Sequence, residues 1–277
     1  MNQIKSMAEV KLHHPPSHYL LSDPAHRRER AESKRRAILR FLRHEGWTTT
    51  EVVSVLLGVG YSAAHQVLKK LQRDGLTTST ALFVPGRQGA TRTILHGITA
   101  QGLAFAFDLN EESEARAPWE PSKTNPLFVP HQVMTQLARV RSEQEGWTDW
   151  LPARALMRIG LPKLPDGEAT NPDGERVAIE VEREIKTDRR YESVIGAYIA
   201  QIKADGRWDR VDYLCPDKDF AARLARIFGR LRQLRLELPE QRAKVGKLEQ
   251  AHLEMFRFYS HADWPNGEYQ NARIKHE

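Results

Sequence analysis

The chain has 277 residues, of which 40% are hydrophobic and 28% charged, a balance that suits one large or two ordinary folded domains and argues against disorder. No apolar run approaches the roughly 20 residues that cross a bilayer, and the opening residues lack the continuous hydrophobic stretch of a secretory leader, so a cytoplasmic protein without membrane insertion is expected. The single cysteine, Cys215, excludes an internal disulfide or a cysteine-built zinc knuckle, and it reads as a small buried hydrophobe.

The net charge of +6 is unevenly placed: residues 1–108 carry 15 Lys and Arg against 8 Asp and Glu, residues 109–129 carry 2 against 4, and residues 130–277 carry 25 against 24. A localised excess of this kind attracts polyanions, although a solvated basic surface is an equal reading of charge alone. Residues 1–30, with Pro15, Pro16 and Pro24, are expected to form a flexible basic segment, and the dense run from His26 to Arg36 reads either as a phosphate-gripping arm or as a solvated helix face.

A first helix is expected from about Ser33 to Glu45, with Ile38, Leu39 and Leu42 on its apolar stripe and Gly46 ending it. A second follows, capped by Thr49 or Thr50, burying Val52, Val53, Leu56 and Leu57, and stopped by Gly58 and Gly60. The third, Ser62 to Asp74, turns Ala64, Val67, Leu68 and Leu71 inward and leaves Ser62, His65, Gln66, Lys69, Lys70 and Arg73 outward. Two β-rich runs, residues 76–85 and 91–99, flank a GRQGA turn bearing Arg87, with Arg92 just beyond. Residues 31–108 thus resemble a winged helix-turn-helix domain. That resemblance implies double-stranded DNA as partner, with the third helix in the major groove and Arg87 and Arg92 on the wing against backbone or minor groove. Residues 109–129, proline-rich and acidic, read as a linker.

The second half, residues 130–262, opens with a helix from His131 to Glu145 striped by Val133, Leu137 and Val140. His131 could approach the acids discussed next, but a capping or packing role is the simpler reading. In KLPDGEATNPDGERVAIEVERE, a short strand ends near Asp166, NPDG turns, and a strand runs from Arg176 to Arg183. Alternation sends Val177, Ile179 and Val181 to one face and Ala178, Glu180 and Glu182 to the other. The hairpin brings Asp166 beside both glutamates, and three mutually repelling carboxylates call for a divalent cation, Mg²⁺ or Mn²⁺, which serves phosphodiester chemistry. The alternative is a half-exposed strand edge whose acids pair with Arg183, Lys186 or Arg189.

A helix from Tyr191 to Lys203, a strand from Arg210 to Cys215 and a long basic helix from Asp217 to Leu236 complete a mixed α/β core with a crossover connection. Residues 263–277 read as a polar tail. Tyr191 and Tyr198 fall after the paired glutamates, Tyr191 being the better candidate for a covalent nucleophile and Tyr198 fitting the core stripe.

Pro-Asp followed by Glu-x-Glu in this order of elements resembles the PD-(D/E)XK restriction-endonuclease-like superfamily. More narrowly, LPDGEA, VAIEVERE and RYESVIGAYIAQI after a winged domain resemble the replication-relaxation family and its MobC-type plasmid relaxases, over roughly residues 33–235. The resemblance implies nicking of one strand at a plasmid transfer origin, with relaxosome accessory and coupling proteins as further partners. Carried over by position, the metal-binding acids fall on Asp166, Glu180 and Glu182. The superfamily's lysine position holds Glu182, so Lys186 or Lys163 must supply the missing cation, or else the chain is a non-catalytic DNA-binding replication or relaxosome accessory protein.

Overall fold

The computed structural model describes residues 23–86, 89–107, 116–161, 163–236 and 243–274. Helix α1 (Pro24–Glu45) begins where local chemistry starts it: Asp23 accepts the Ala25 amide at 2.8 Å and Pro24 occupies the first turn, where a missing N–H costs nothing. The expected start near Ser33 is therefore corrected, and Pro24 belongs to the helix rather than to an irregular arm. Strand β1 (Trp47–Thr48), α2 (Thr50–Leu57) and α3 (Tyr61–Arg73) follow. Thr49 is the cap of α2, accepting the Val52 amide, and Gly58 closes that helix in the left-handed region at φ 59°.

Strands β2 (Thr77–Gly86) and β3 (Gly89–Ile98) pair antiparallel, β1 adds to the free side of β3, and the short α4 (Ala100–Ala104) follows. The core of this half joins Ile38, Leu39 and Leu42 of α1 to Val53, to Ala64, Leu68 and Leu71 of α3, and to Ile98. Of the inward positions expected from the 3.6-residue period, Leu56, Leu57 and Val67 are half-buried and the others are buried.

The segment read as a linker is packed where it is described. The Trp119 amide donates to Ile98 O at 2.9 Å, and its indole lies so close over Gly97 that a Cβ there would fall 1.9 Å from the ring. Helix α5 (Val129–Gln144) then serves both halves. Its Leu137 and Val140 pack on Phe41 and Val52, while Ala138 joins a cluster under the second sheet. The buried Gln136 donates to Trp47 O at 2.7 Å and accepts from Thr48 Oγ1 at 3.0 Å, and Arg139 pairs with Glu45 at 2.7 Å. A buried amide so matched fixes one half against the other, since breaking it strands polar groups.

Next come β4 (Thr148–Pro152), α6 (Ala153–Leu156), β5 (Gly167–Thr170), β6 (Arg176–Val181), α7 (Asp188–Asp205), β7 (Arg210–Cys215) and α8 (Lys218–Arg230). The chain ends through β8 (Gln233–Leu236), β9 (Lys244–Lys247), α9 (Gln250–Leu253), β10 (Phe256–Ser260) and β11 (Tyr269–Asn271). Six strands form one mixed sheet in the order β11-β10-β7-β6-β5-β4, in which β6, β7 and β10 run parallel. The molecule is thus a mixed α/β protein. Ala178, Val211 and Tyr213 face α7 and α8; Val177, Ile179, Val181 and Leu214 face the other way, toward α5, Trp147 and Trp264. Both sides of the central strands are covered, as parallel pairing requires.

Three sequence expectations need correction here. Strand β5 begins at Gly167, after Asp166, instead of ending there. The long helix stops at Arg230, because the alternating Gln233-Leu-Arg-Leu stretch pairs as β8 with β9, the period of two prevailing over the helical stripe. The polar tail is built into the fold: Trp264 and Ala272 are buried and β11 lies on β10. Among the described residues no single helix is long and apolar enough to cross a membrane.

Candidate functional site

The acids singled out above gather at the carboxyl end of β6. The Asp166 amide donates to Ile179 O at 3.0 Å, and the register that pairs Gly167 with Ile179 puts Asp166 opposite Glu180. One Asp166 oxygen, Oδ2, accepts the Val181 amide at 2.8 Å and lies 3.1 Å from His131 Nε2. Burial works against the His131 cation, but the hydrogen bond and the charges of Asp166 and Glu180 outweigh it and raise its pKa. His131 therefore belongs to the site, and does more than cap or pack its helix.

Glu180 is buried between β5 and β7, only 9% exposed, so the half-exposed edge considered above does not occur. Its Oε1 accepts from both Tyr198 OH and Lys163 Nζ, and the ammonium also donates to Leu164 O at 2.7 Å. Burial pushes the Glu180 carboxyl up, Lys163 opposes this, and Asp166 adds to it, leaving the pKa raised. Tyr198 lies in the core as its stripe position indicates, yet its hydroxyl serves the acid.

Glu182 shares the α7 face, as alternation requires, but has partners of its own. Lys186 Nζ donates to its Oε2 at 2.7 Å and Tyr191 OH approaches at 3.4 Å. Tyr191 is buried, accepts the Lys186 amide at 3.1 Å, and has a phenol pushed upward chiefly by burial. It braces Glu182 and is not presented as a nucleophile. Cys215 is likewise buried, its thiol pushed up by burial.

The three carboxylates consequently do not converge on one point. Among the described residues no group of three His, Cys, Asp or Glu side chains is placed to hold a metal ion. Asp166 Oδ1 and Glu180 Oε2 accept no hydrogen bond among the described residues, whereas Glu182 is turned away toward Lys186. Asp166 and Glu180 are thus the two carboxylates that could contribute oxygen to a cation such as Mg²⁺ or Mn²⁺, ions commonly held by one or two carboxylates with water and phosphate completing the shell.

The N-terminal surface lies nearby. On α3, Ser62, Gln66, Lys69, Lys70 and Arg73 are exposed and His65 is half-buried; Arg92 is exposed on β3, and Arg87 lies outside the described residues. A recess of about 370 Å³ is lined by Tyr61 of α3, by Arg92 and Ile94 of β3, and by Val129 and Pro130 of α5. His131 and Asp166 are not among the residues that line it. The place of Tyr61 in this recess is not legible from spacing, because three separate elements form it. No family model matches the chain, and neither a curated protein nor a solved structure matches it.

Proposed function

We propose that the chain is a plasmid-mobilisation relaxase, in which a winged helix-turn-helix half binds double-stranded DNA at a transfer origin and a restriction-endonuclease-like half nicks one strand. The observation that carries this reading is the meeting of Asp166 and Glu180 at the carboxyl end of β6 with an ammonium, Lys163, on the same acid. Asp166 and Glu180 would hold the divalent ion, which when bound polarises the scissile phosphate and assists formation of the attacking hydroxide. His131 orients Asp166, and Tyr198 and Lys163 hold the Glu180 carboxylate in place. Lys163 stands in for the superfamily's lysine as the cation available to phosphate, while Lys186 neutralises Glu182. Glu182 is thereby assigned a supporting role instead of a ligand's. The DNA-facing side chains on this reading are Ser62, His65, Gln66, Lys69, Lys70, Arg73, Arg87 and Arg92.

The test is conversion of a supercoiled plasmid bearing the DNA adjacent to the coding region into open circles with Mg²⁺ or Mn²⁺. Glu180→Ala should abolish nicking and retain DNA binding; an Asp166→Ala, Glu180→Ala double variant that nicks like the parent would refute the assignment. A second reading is favoured by one observation, that the Lys163 ammonium already balances the Glu180 charge, with Tyr198 donating to the same oxygen. On that reading the chain is a non-catalytic replication or relaxosome accessory protein, and metal-independent origin binding without nicking under any divalent ion would establish it.

A further inference from the structure

The basic run at the start of α1 is not absorbed by the reading helix or by the acids. Residues 24–36 bury no side chain, and the apolar stripe of α1 begins only at Ile38. At ~1.5 Å per residue this solvent-exposed stretch is about 20 Å of helix. Its cations recur at positions 27, 30 and 34, so these like charges fall three and four residues apart, a spacing that opposes helix formation.

Beside α3 the stretch forms a cleft of about 740 Å³, walled by Arg27, Arg28, Arg30 and Lys34 on one side and by Gln66 and Lys70 on the other. Ala31, Val67 and Leu71 are its apolar residues, and Glu32 and Asp74 its acids. Among the described residues no carboxylate pairs with Arg27, Arg28, Arg30, Lys34 or Lys70, and Glu32, one of the two acids in the cleft, is taken by Arg35 at 3.3 Å. Five cations held this way favour an occupant with regularly spaced negative charge.

We infer that the first turns of α1 and the facing edge of α3 form a clamp for the sugar-phosphate backbone of duplex DNA, flanking the groove that α3 enters. This rests on the reading of α3 as the DNA-contacting helix, and it supplies a contact that a short recognition helix lacks. Phosphate contacts of this kind add affinity and orientation without sequence preference, and they carry the salt dependence of binding.

The experiment measures binding of the full chain to a labelled random-sequence DNA duplex by fluorescence anisotropy, from about 50 to about 200 mM NaCl. One variant carries Arg27→Gln, Arg28→Gln, Arg30→Gln and Lys34→Gln, which keeps helix propensity; a second carries Arg→Lys at the three arginine positions; a third carries Lys69→Gln and Arg73→Gln, α3 residues that do not line the cleft. Equal far-UV circular dichroism establishes that all are folded. The glutamine variant should bind about 10- to 100-fold more weakly, with the slope of log K against log salt reduced by roughly 3. The lysine variant should keep the parent slope.

An unchanged slope in the glutamine variant, with binding weakened in the Lys69 and Arg73 variant, overturns the clamp and leaves the α3 reading standing; a cleft covered by residues 1–22 would give that result. If only the Lys69 and Arg73 variant binds as the parent does, the α3 reading fails and the clamp beside its groove is overturned with it, leaving only a phosphate contact by α1. If the parent shows no salt-dependent binding, both fail.

Discussion

Replacing Lys163 with methionine isolates the central electrostatic feature of the second half. Glu180 is 9% exposed, and its side-chain partners are Lys163 and Tyr198, so Lys163→Met keeps the aliphatic stem and removes the compensating charge. Stranding one member of a buried pair costs about 3–5 kcal/mol if the survivor stays charged. The carboxyl can instead take a proton, at ~1.4 kcal/mol for each pH unit above its folded-state pKa, and the cheaper route prevails. Burial already raises that pKa above the unfolded value. The folded state therefore holds this proton longer than the unfolded chain, and the contribution falls as pH rises from the unfolded value through the folded one. Without Lys163 the folded value climbs further. In urea unfolding, the variant should lose little at about pH 5 and on the order of 3 kcal/mol at about pH 8. Adding Glu180→Gln should remove the pH dependence, and Mg²⁺ should restore part of the loss in the single variant. A stability loss equal at both pH values would refute the reasoning, because it would show that Lys163 contributes packing and no charge compensation.

Tyr191→Phe removes a hydroxyl that braces Glu182, so plasmid nicking should persist within about tenfold; complete loss with a covalent tyrosyl adduct in the parent would restore Tyr191 as nucleophile. His96 is buried, bonded through Nε2 to Thr50 Oγ1 at 3.2 Å, and its pKa is lowered to about 4 by burial and by His65. The unfolded chain protonates first as pH falls below about 6.5, so the first half should lose up to ~3 kcal/mol by about pH 4. His44, lowered to about 4 by burial and by Arg139, Arg43, Arg116 and Arg154, acts in the same direction. A His96→Gln variant should show a shallower acid limb in urea unfolding, and an identical limb would count against the assignment. Gly97→Ala forces a methyl into the Trp119 ring and should cost about 1–3 kcal/mol in thermal or urea melts, with Trp119→Ala in the same chain relieving the clash.

Much of the site was legible before any coordinates. The turn at Asn171 to Gly174 and the alternation of β6 put Glu180 and Glu182 on one face and Asp166 across from Glu180, because hairpin register and strand period are local properties. The inward residues of α1, α2 and α3 followed from the helical period for the same reason. What the chain alone misjudged also has local causes: Asp23-Pro24 is a helix start hidden in a basic run, and the Leu-x-Leu alternation of β8 continues the spacing of α8 closely enough to pass for one helix.

The choice of partners belonged to tertiary structure. His131 reaches Asp166 across 35 positions, Lys163 reaches Glu180 across 17, and Tyr198 reaches it across 18. Periodicity says which way a side chain leaves its own strand or helix, but not which element is laid against it. Packing α7 on one side of the sheet and α5 on the other decided that Glu180 would share an ammonium and Glu182 would take a different one. It also decided how the two halves are joined, since the buried Gln136 and the Phe41, Val52, Leu137 and Val140 contact hold them together.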